Sequence, residues 1–217
     1  MSGRVPPKTA SIATPAEGAK LVAPAASRNV QAICTLLDQV APSGTRALEL
    51  ASGTGQHIVA FAAQMPRFQW QPSEIDAVRR ASIDAYAAGI DNVAPAIALD
   101  ATTSGWATQH GGQDLIILVN LLHLISTPET ERLISQVATA LTPGGRAVLY
   151  GPFLRGGDLI SDGDKAFHAS LIAQDPEIGY KDDFDIMDLL QDAGLEMAEV
   201  IEMPANNLAL VAEKPPI

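Results

Sequence analysis

The run Arg46-Ala47-Leu48-Glu49-Leu50-Ala51-Ser52-Gly53-Thr54-Gly55-Gln56-His57 constrains the fold more than any other segment, because it passes from an apolar strand through a glycine loop into a helix. Gly53 and Gly55 let the backbone turn sharply and approach a ligand, and the free N–H groups of a helix opening near Gln56 favour a negatively charged group. Such a junction suits a nucleoside. A dinucleotide fingerprint, G-x-G-x-x-G, would need its third glycine where this chain has Ile58. The spacing therefore departs from that of nicotinamide-dinucleotide enzymes.

At 217 residues the chain is long enough to bury one substantial core without metal or disulfide help. We expect residues 1–22 to form a flexible tail and residues 23–217 a single domain. An apolar fraction of 47% with 18% charged residues is that of a globular protein, and no segment approaches the roughly 20 apolar residues that span a bilayer. No secretory leader is visible, and Cys34, the lone cysteine, excludes an internal disulfide and a multi-cysteine zinc site. A cytoplasmic protein is expected. The four histidines are dispersed without ligand spacing, so no metal site is expected. A net charge of -11 with no basic cluster would repel phosphate backbones, so neither nucleic acid nor membrane is an expected partner.

Beyond the tail, strand-like and helix-like segments alternate. Val30, Ile33, Leu36, Leu37 and Val40 follow a helical period over 25–40, and Pro42-Ser43-Gly44 ends it. Strands are predicted around 47–51, 68–72, 93–98, 115–119 and 146–150, with helices over 56–64, 76–88 and 128–141 and a turn at 142–145. Two more helices, over 165–173 and 183–193, precede a hairpin of 195–203 and 208–213 joined by Pro204-Ala205-Asn206-Asn207. The expected fold is α/β: a doubly wound, Rossmann-like, seven-stranded and mainly parallel sheet with a C-terminal antiparallel hairpin. In such a sheet the ligand lies over the carboxyl ends of the strands.

Acids stand at three successive strand ends. Glu49 closes the first. Glu74, beside Ile75, follows the second, where its two oxygens can accept both hydroxyls of a ribose. Asp76 is the local rival for that role, although it can equally cap the helix it precedes. Asp100, beside Ala101, follows the third and can accept a hydrogen bond from an adenine amino group. Asn120 and His123 follow the fourth; a near-neutral imidazole there could take a proton from a hydroxyl, or could simply pack.

The acid and small-residue loop of 49–55, with Ala51 where a first glycine is usual, resemble the first motif of class I S-adenosylmethionine (SAM) methyltransferases. Taken together, the segments 23–29, 49–57, 70–76, 120–123, 150–153 and 202–207 resemble one methyltransferase-like family long catalogued as a domain of unknown function, the DUF938 type. The resemblance implies a SAM cofactor, with S-adenosylhomocysteine (SAH) as product, held by Arg28, Asn29, Glu49, Ala51, Ser52, Gly53, Gly55, His57, Glu74, Ile75, Asp100, Ala101 and Asn120. Arg28 would pair with the methionyl carboxylate and Asn29 would cap the leading helix. His123 and Tyr150 are the catalytic candidates, and Tyr150, Phe153 and Arg155 the candidates for binding a small-molecule acceptor. The implied chemistry is methyl transfer, first of all to oxygen, by direct displacement; a SAM-binding regulatory module without turnover is the alternative.

Overall fold

The computed structural model describes residues 12–216. Its elements run β1 (Thr14–Pro15), β2 (Leu21–Val22), α1 (Pro24–Val40), β3 (Arg46–Leu50), α2 (Gln56–Gln64), β4 (Gln69–Pro72), α3 (Ala77–Ala87), α4 (Trp106–His110) and β5 (Gln113–Val119). A 3-10 turn at Leu122–Leu124 follows, then α5 (Thr127–Ala140), β6 (Leu141–Leu154), α6 (Asp162–Gln174), β7 (Lys181–Asp182), α7 (Asp183–Asp192), β8 (Glu196–Met203) and β9 (Asn207–Glu213).

The main sheet has seven strands in the order β4-β3-β5-β6-β9-β8, with β7 paired to the end of β6. Strands β4, β3, β5 and β6 are parallel, and the terminal hairpin adds β9 antiparallel to β6 and β8 antiparallel to β9. Side chains alternate faces along a strand, so each central strand feeds two core layers. Ala47, Leu115, Ile117, Val148 and Tyr150 pack with Ile33 and Leu37 of α1 and Ile58 and Phe61 of α2. Leu48, Leu50, Ile116, Leu118 and Leu149 pack on the other face with Leu133, Ile134 and Val137 of α5 and Ile186 and Leu190 of α7. The chain passes from β3 outward to β4 and then back across β3 to β5. The strand order therefore reverses between β3 and β5, and the crevice above their carboxyl ends is the topological switch point.

Three differences from the sequence reading have physical causes. Residues 93–98 do not form a strand; they touch β4 through isolated bridges, Trp70 with Val93 and Ser73 with Ile97. Pro72 of β4 has no N–H for the Ala94 carbonyl, and the segment carries one extra residue between the two bridges, so that Ala94 N–H donates to the Trp70 carbonyl and Ile97 N–H to that of Pro72 while Ala96 N–H turns to Asp84. The seventh strand is β7. Residues 142–145 are not a free turn but part of β6, where a register shift opposite Gln113 and Leu115 absorbs extra chain and Gly144 takes φ +76°. Finally, α1 opens at Pro24, one residue before the expected start, with Pro in the first turn and Ala23 at the cap position, so that Asn29 lies inside the helix and does not cap it.

Residues 12–22, assigned to the tail, contain the β1–β2 hairpin. Leu21 N–H donates to Ser82 Oγ on α3, and Ala23 N–H to Gln56 Oε1 on α2. The rest of the assigned tail, residues 1–11, lies outside the described residues.

Candidate cofactor site

At the end of β3 the ladder with β4 continues one step into the loop: Ser73 N–H donates to the Glu49 carbonyl and Ser52 N–H to the Ser73 carbonyl. The hydroxyls of Ser52 and Ser73 both donate to that same Glu49 carbonyl, at 3.2 and 2.8 Å. This fixes where the glycine loop departs. Ala51, Gly53 and Gly55 then all adopt left-handed backbone, with φ of 50°, 61° and 93°. For Ala51 that conformation costs about 1–2 kcal/mol, which a glycine would avoid. Gly55 is demanded twice over, because a Cβ there would lie 2.7 Å from Ile83 Cα on α3. At Gly53 a Cβ would make an ordinary contact with Arg79 Nη1 at 3.8 Å, so it is the left-handed backbone rather than crowding that favours glycine there.

Glu74 crosses the crevice to hold this loop. Its Oε2 accepts from Gly53 N–H at 3.1 Å and its Oε1 from Asp76 N–H at 3.1 Å, each oxygen retaining a further lone pair. Asp76 itself caps α3, accepting from Val78 and Arg79 N–H groups. Between the two acids, Ile75 is 49% exposed, an apolar side chain left facing outward next to the crevice. Glu49 is buried, and its Oε2 has no hydrogen-bond partner. Burial, opposed by a hydrogen bond from Ser52 and reinforced by the neighbouring Glu74 charge, pushes its carboxyl up to about 8. Asp100 Oδ1 accepts from Thr102 N–H and Oγ1, while Ala101 is buried and its carbonyl accepts from Trp106 Nε1.

Above the end of β5, Asn120 is also left-handed, at φ 57°, and its N–H donates to the Tyr150 carbonyl. Its side chain lies against Gly151, 3.6 Å from where a Cβ of that residue would be. Asn29 does not cap α1. It sits inside that helix, where its Oδ1 lies 2.8 Å from His57 Nε2 and its side chain hydrogen-bonds the Tyr150 hydroxyl. Burial lowers His57 to about 4 and raises the Tyr150 phenol, so both are neutral at physiological pH.

Other expected site residues stand apart. Arg28 is exposed on α1. Phe153 is buried in the core layer on the α5–α7 face. The Arg155 guanidinium forms a two-pronged pair with Glu202 and also donates to the Asn206 and Asn207 carbonyls, so it is committed to the terminal hairpin. His123 is enclosed under α6, edge-on to Phe167 and Tyr180 at 5.8 and 6.1 Å, and burial with the nearby Lys181 charge lowers it to about 3. Sequence reasoning overlooked Gln56. Its Oε1 accepts from Ala23 N–H and Thr54 Oγ1 while its Nε2 donates to Ser27 Oγ, stitching the start of α1 to the glycine loop. The only sequence signal was a polar residue at the first position of a buried helix. A surface cavity of about 550 Å³ between α5 and α7, lined by Glu131, Ser135, Leu189, Asp192 and Lys214 among others, includes none of these rim residues.

A family model described as "Protein of unknown function (DUF938)" matches residues 20–214. Among solved structures, the chain is similar to an O-methyltransferase family protein from Burkholderia thailandensis, at 16% identity and TM-score 0.71, over 88% of this chain and 58% of that one. It is similar to human N-acetylserotonin methyltransferase in complex with SAM, at 16% identity and TM-score 0.73, over 88% and 53%. A third, PigF with SAH, gives 17% identity and TM-score 0.71 over 87% and 55%. The chain thus spans a little over half the length of these proteins. At such identity the likeness is one of fold.

Proposed function

The chain belongs to the DUF938 family and has the class I methyltransferase fold, and from that premise we propose that it is a SAM-dependent methyltransferase acting on a small-molecule acceptor. The observation that carries this reading is the Gly53–Glu74 clasp at the switch point.

The residues present fit the cofactor. Glu74 keeps acceptor capacity for paired ribose hydroxyls, and Ile75 offers an exposed apolar side chain for a base. Asp100 and Ala101 flank the adenine end. Glu49 supplies a buried, unpartnered carboxyl oxygen toward positive charge, and the α2 N-terminus, which no side chain caps, supplies N–H groups toward negative charge. Arg28, exposed on α1, is assigned the methionyl carboxylate in this reading. When bound, SAM supplies an activated methyl group together with its leaving group.

What the chain's own residues contribute is alignment. Asn120, His57, Asn29 and Tyr150 form a neutral polar wall next to the loop, and holding an acceptor in line there is worth on the order of 7–11 kcal/mol. Neither His123, lowered to about 3, nor Tyr150, whose phenol is raised, is a strong base at neutral pH. The acceptor in this reading is an oxygen acidic enough to lose its proton to water, such as a phenolic or enolic hydroxyl. We place the activity in the cytoplasm and in one domain, residues 23–217. The test is incubation with methyl-labelled SAM and a panel of hydroxylated small molecules: a labelled ether product supports the reading, whereas tight SAM binding without any product favours the regulatory module.

A further inference from the structure

Few buried side-chain polar atoms among the described residues lack a hydrogen bond, and one of them, Glu49 Oε2, belongs to the cofactor rim. An ionised carboxylate cannot sit dry and half-satisfied without a large cost, so either a cation compensates it or it holds a proton. Among the described residues no cation compensates it. On the adjoining strand end, Glu74 is held as an acceptor by Gly53 and Asp76 N–H groups. On α3, Asp76 is turned to its own helix, Arg80 donates to the Glu74 and Ile75 carbonyls, and Arg79 approaches the outer side of Gly53. Asp100 is engaged by Thr102, His57 on α2 is neutral, and Arg28 on α1 is exposed. Of these charges only Glu74 acts on Glu49, and it disfavours ionisation.

We propose that Glu49 carries a proton in the ligand-free chain and releases it to solvent when a cation-bearing adenosyl ligand enters the rim, making occupancy of this site pH-dependent. The proposal rests on the SAM reading above. The balance is simple: the carboxylic acid becomes a carboxylate, one proton goes to bulk water, the ligand's positive charge becomes the missing counter-ion, and no other bond changes. His57, lowered to about 4, and His123, lowered to about 3, are already deprotonated at pH 7 and cannot supply that proton. The Glu49 carboxyl, pushed up to about 8, can.

The experiment is titration calorimetry of the full chain at pH 7 in two buffers of different ionisation enthalpy, with SAM, SAH and the uncharged nucleoside methylthioadenosine. SAM and SAH should each release about one proton per site, methylthioadenosine none, and SAM affinity should rise roughly tenfold between pH 6 and 7. Glu49→Gln, which imitates the protonated side chain, should bind SAM without proton release and without that slope. SAM binding to the wild type with no proton release, or equal release on binding methylthioadenosine, overturns the proposal while leaving the SAM reading intact. Absence of any binding by SAM and SAH overturns the SAM reading itself, and the proposal with it. If Glu49→Gln fails to fold, the wild-type comparison of charged and uncharged ligands still decides.

Discussion

His57 Nε2 and Asn29 Oδ1 lie 2.8 Å apart, joining the first turn of the glycine-loop helix to the helix that covers it. Since the Asn29 side chain also hydrogen-bonds Tyr150, one amide orders a histidine and a tyrosine from two other elements. Asn29→Ala leaves both without this partner. Leaving the buried His57 and Tyr150 side chains without it costs about 1–3 kcal/mol, so thermal unfolding should show a clear fall in Tm. Asn29→Asp should instead raise the His57 pKa from about 4, because a carboxylate then faces the imidazole; an NMR titration of the ring reads the shift.

Glu74 has two tasks in this account, clasping Gly53 and receiving the ribose. Glu74→Ala should therefore weaken SAM binding at least several-fold, corresponding to about 1–3 kcal/mol for a lost charged hydrogen-bonding group. Calorimetry measures it. Unchanged affinity would assign the ribose to another acid, with Asp76 the nearest candidate.

The loop's left-handed residues are not equivalent. Gly55→Ala forces a Cβ to 2.7 Å from Ile83 Cα while holding φ at 93°, and should cost about 2 kcal/mol or more. Ala51→Gly, by contrast, relieves an unfavourable φ of 50° at the expense of chain entropy and should change stability by less than about 1 kcal/mol. Denaturant melts of the two variants separate packing from conformation.

Stability of the ligand-free chain should peak near pH 6.5. His57 and His123 have folded pKa values of about 4 and 3, below the ordinary 6.5, so the unfolded chain binds more protons and stability falls as pH drops below 6.5. Glu49 has the opposite sign: its folded value of about 8 lies above the ordinary 4.5, so its contribution is lost as pH rises toward 8. Between 4.5 and 6.5 the two histidines outweigh the one acid, and above 6.5 the acid acts alone. Tm measured across pH 5–8 checks this, and Glu49→Gln should flatten the alkaline side.

The parallel sheet and the glycine loop were legible in the sequence because apolar runs bounded by turn residues encode strands directly, and because Gly53 and Gly55 sit between such a run and a helical period. Glu74 was expected at the end of the second strand, and the structure brings its carboxylate to Gly53 N–H. What escaped depended on partners far along the chain. The roles of Asn29 and Gln56 exist only once α1 lies across α2, and nothing local distinguishes them from surface amides. Arg155 looked available because its partners, Glu202 and the 206–207 carbonyls, belong to the terminal hairpin some fifty residues on. Residues 93–98 had strand-like composition, but Pro72 of β4 lacks the N–H that would reach the Ala94 carbonyl, and one extra residue between the two bridges breaks the ladder.

The most direct measurement is a crystal structure of this chain with SAH. The account predicts an adenosyl ligand across the carboxyl ends of β3 and β5, its ribose hydroxyls within about 2.6–3.2 Å of Glu74 and its backbone-facing side against Gly53. A ligand bound elsewhere, or a rim with Glu74 turned away from any nucleoside, contradicts it.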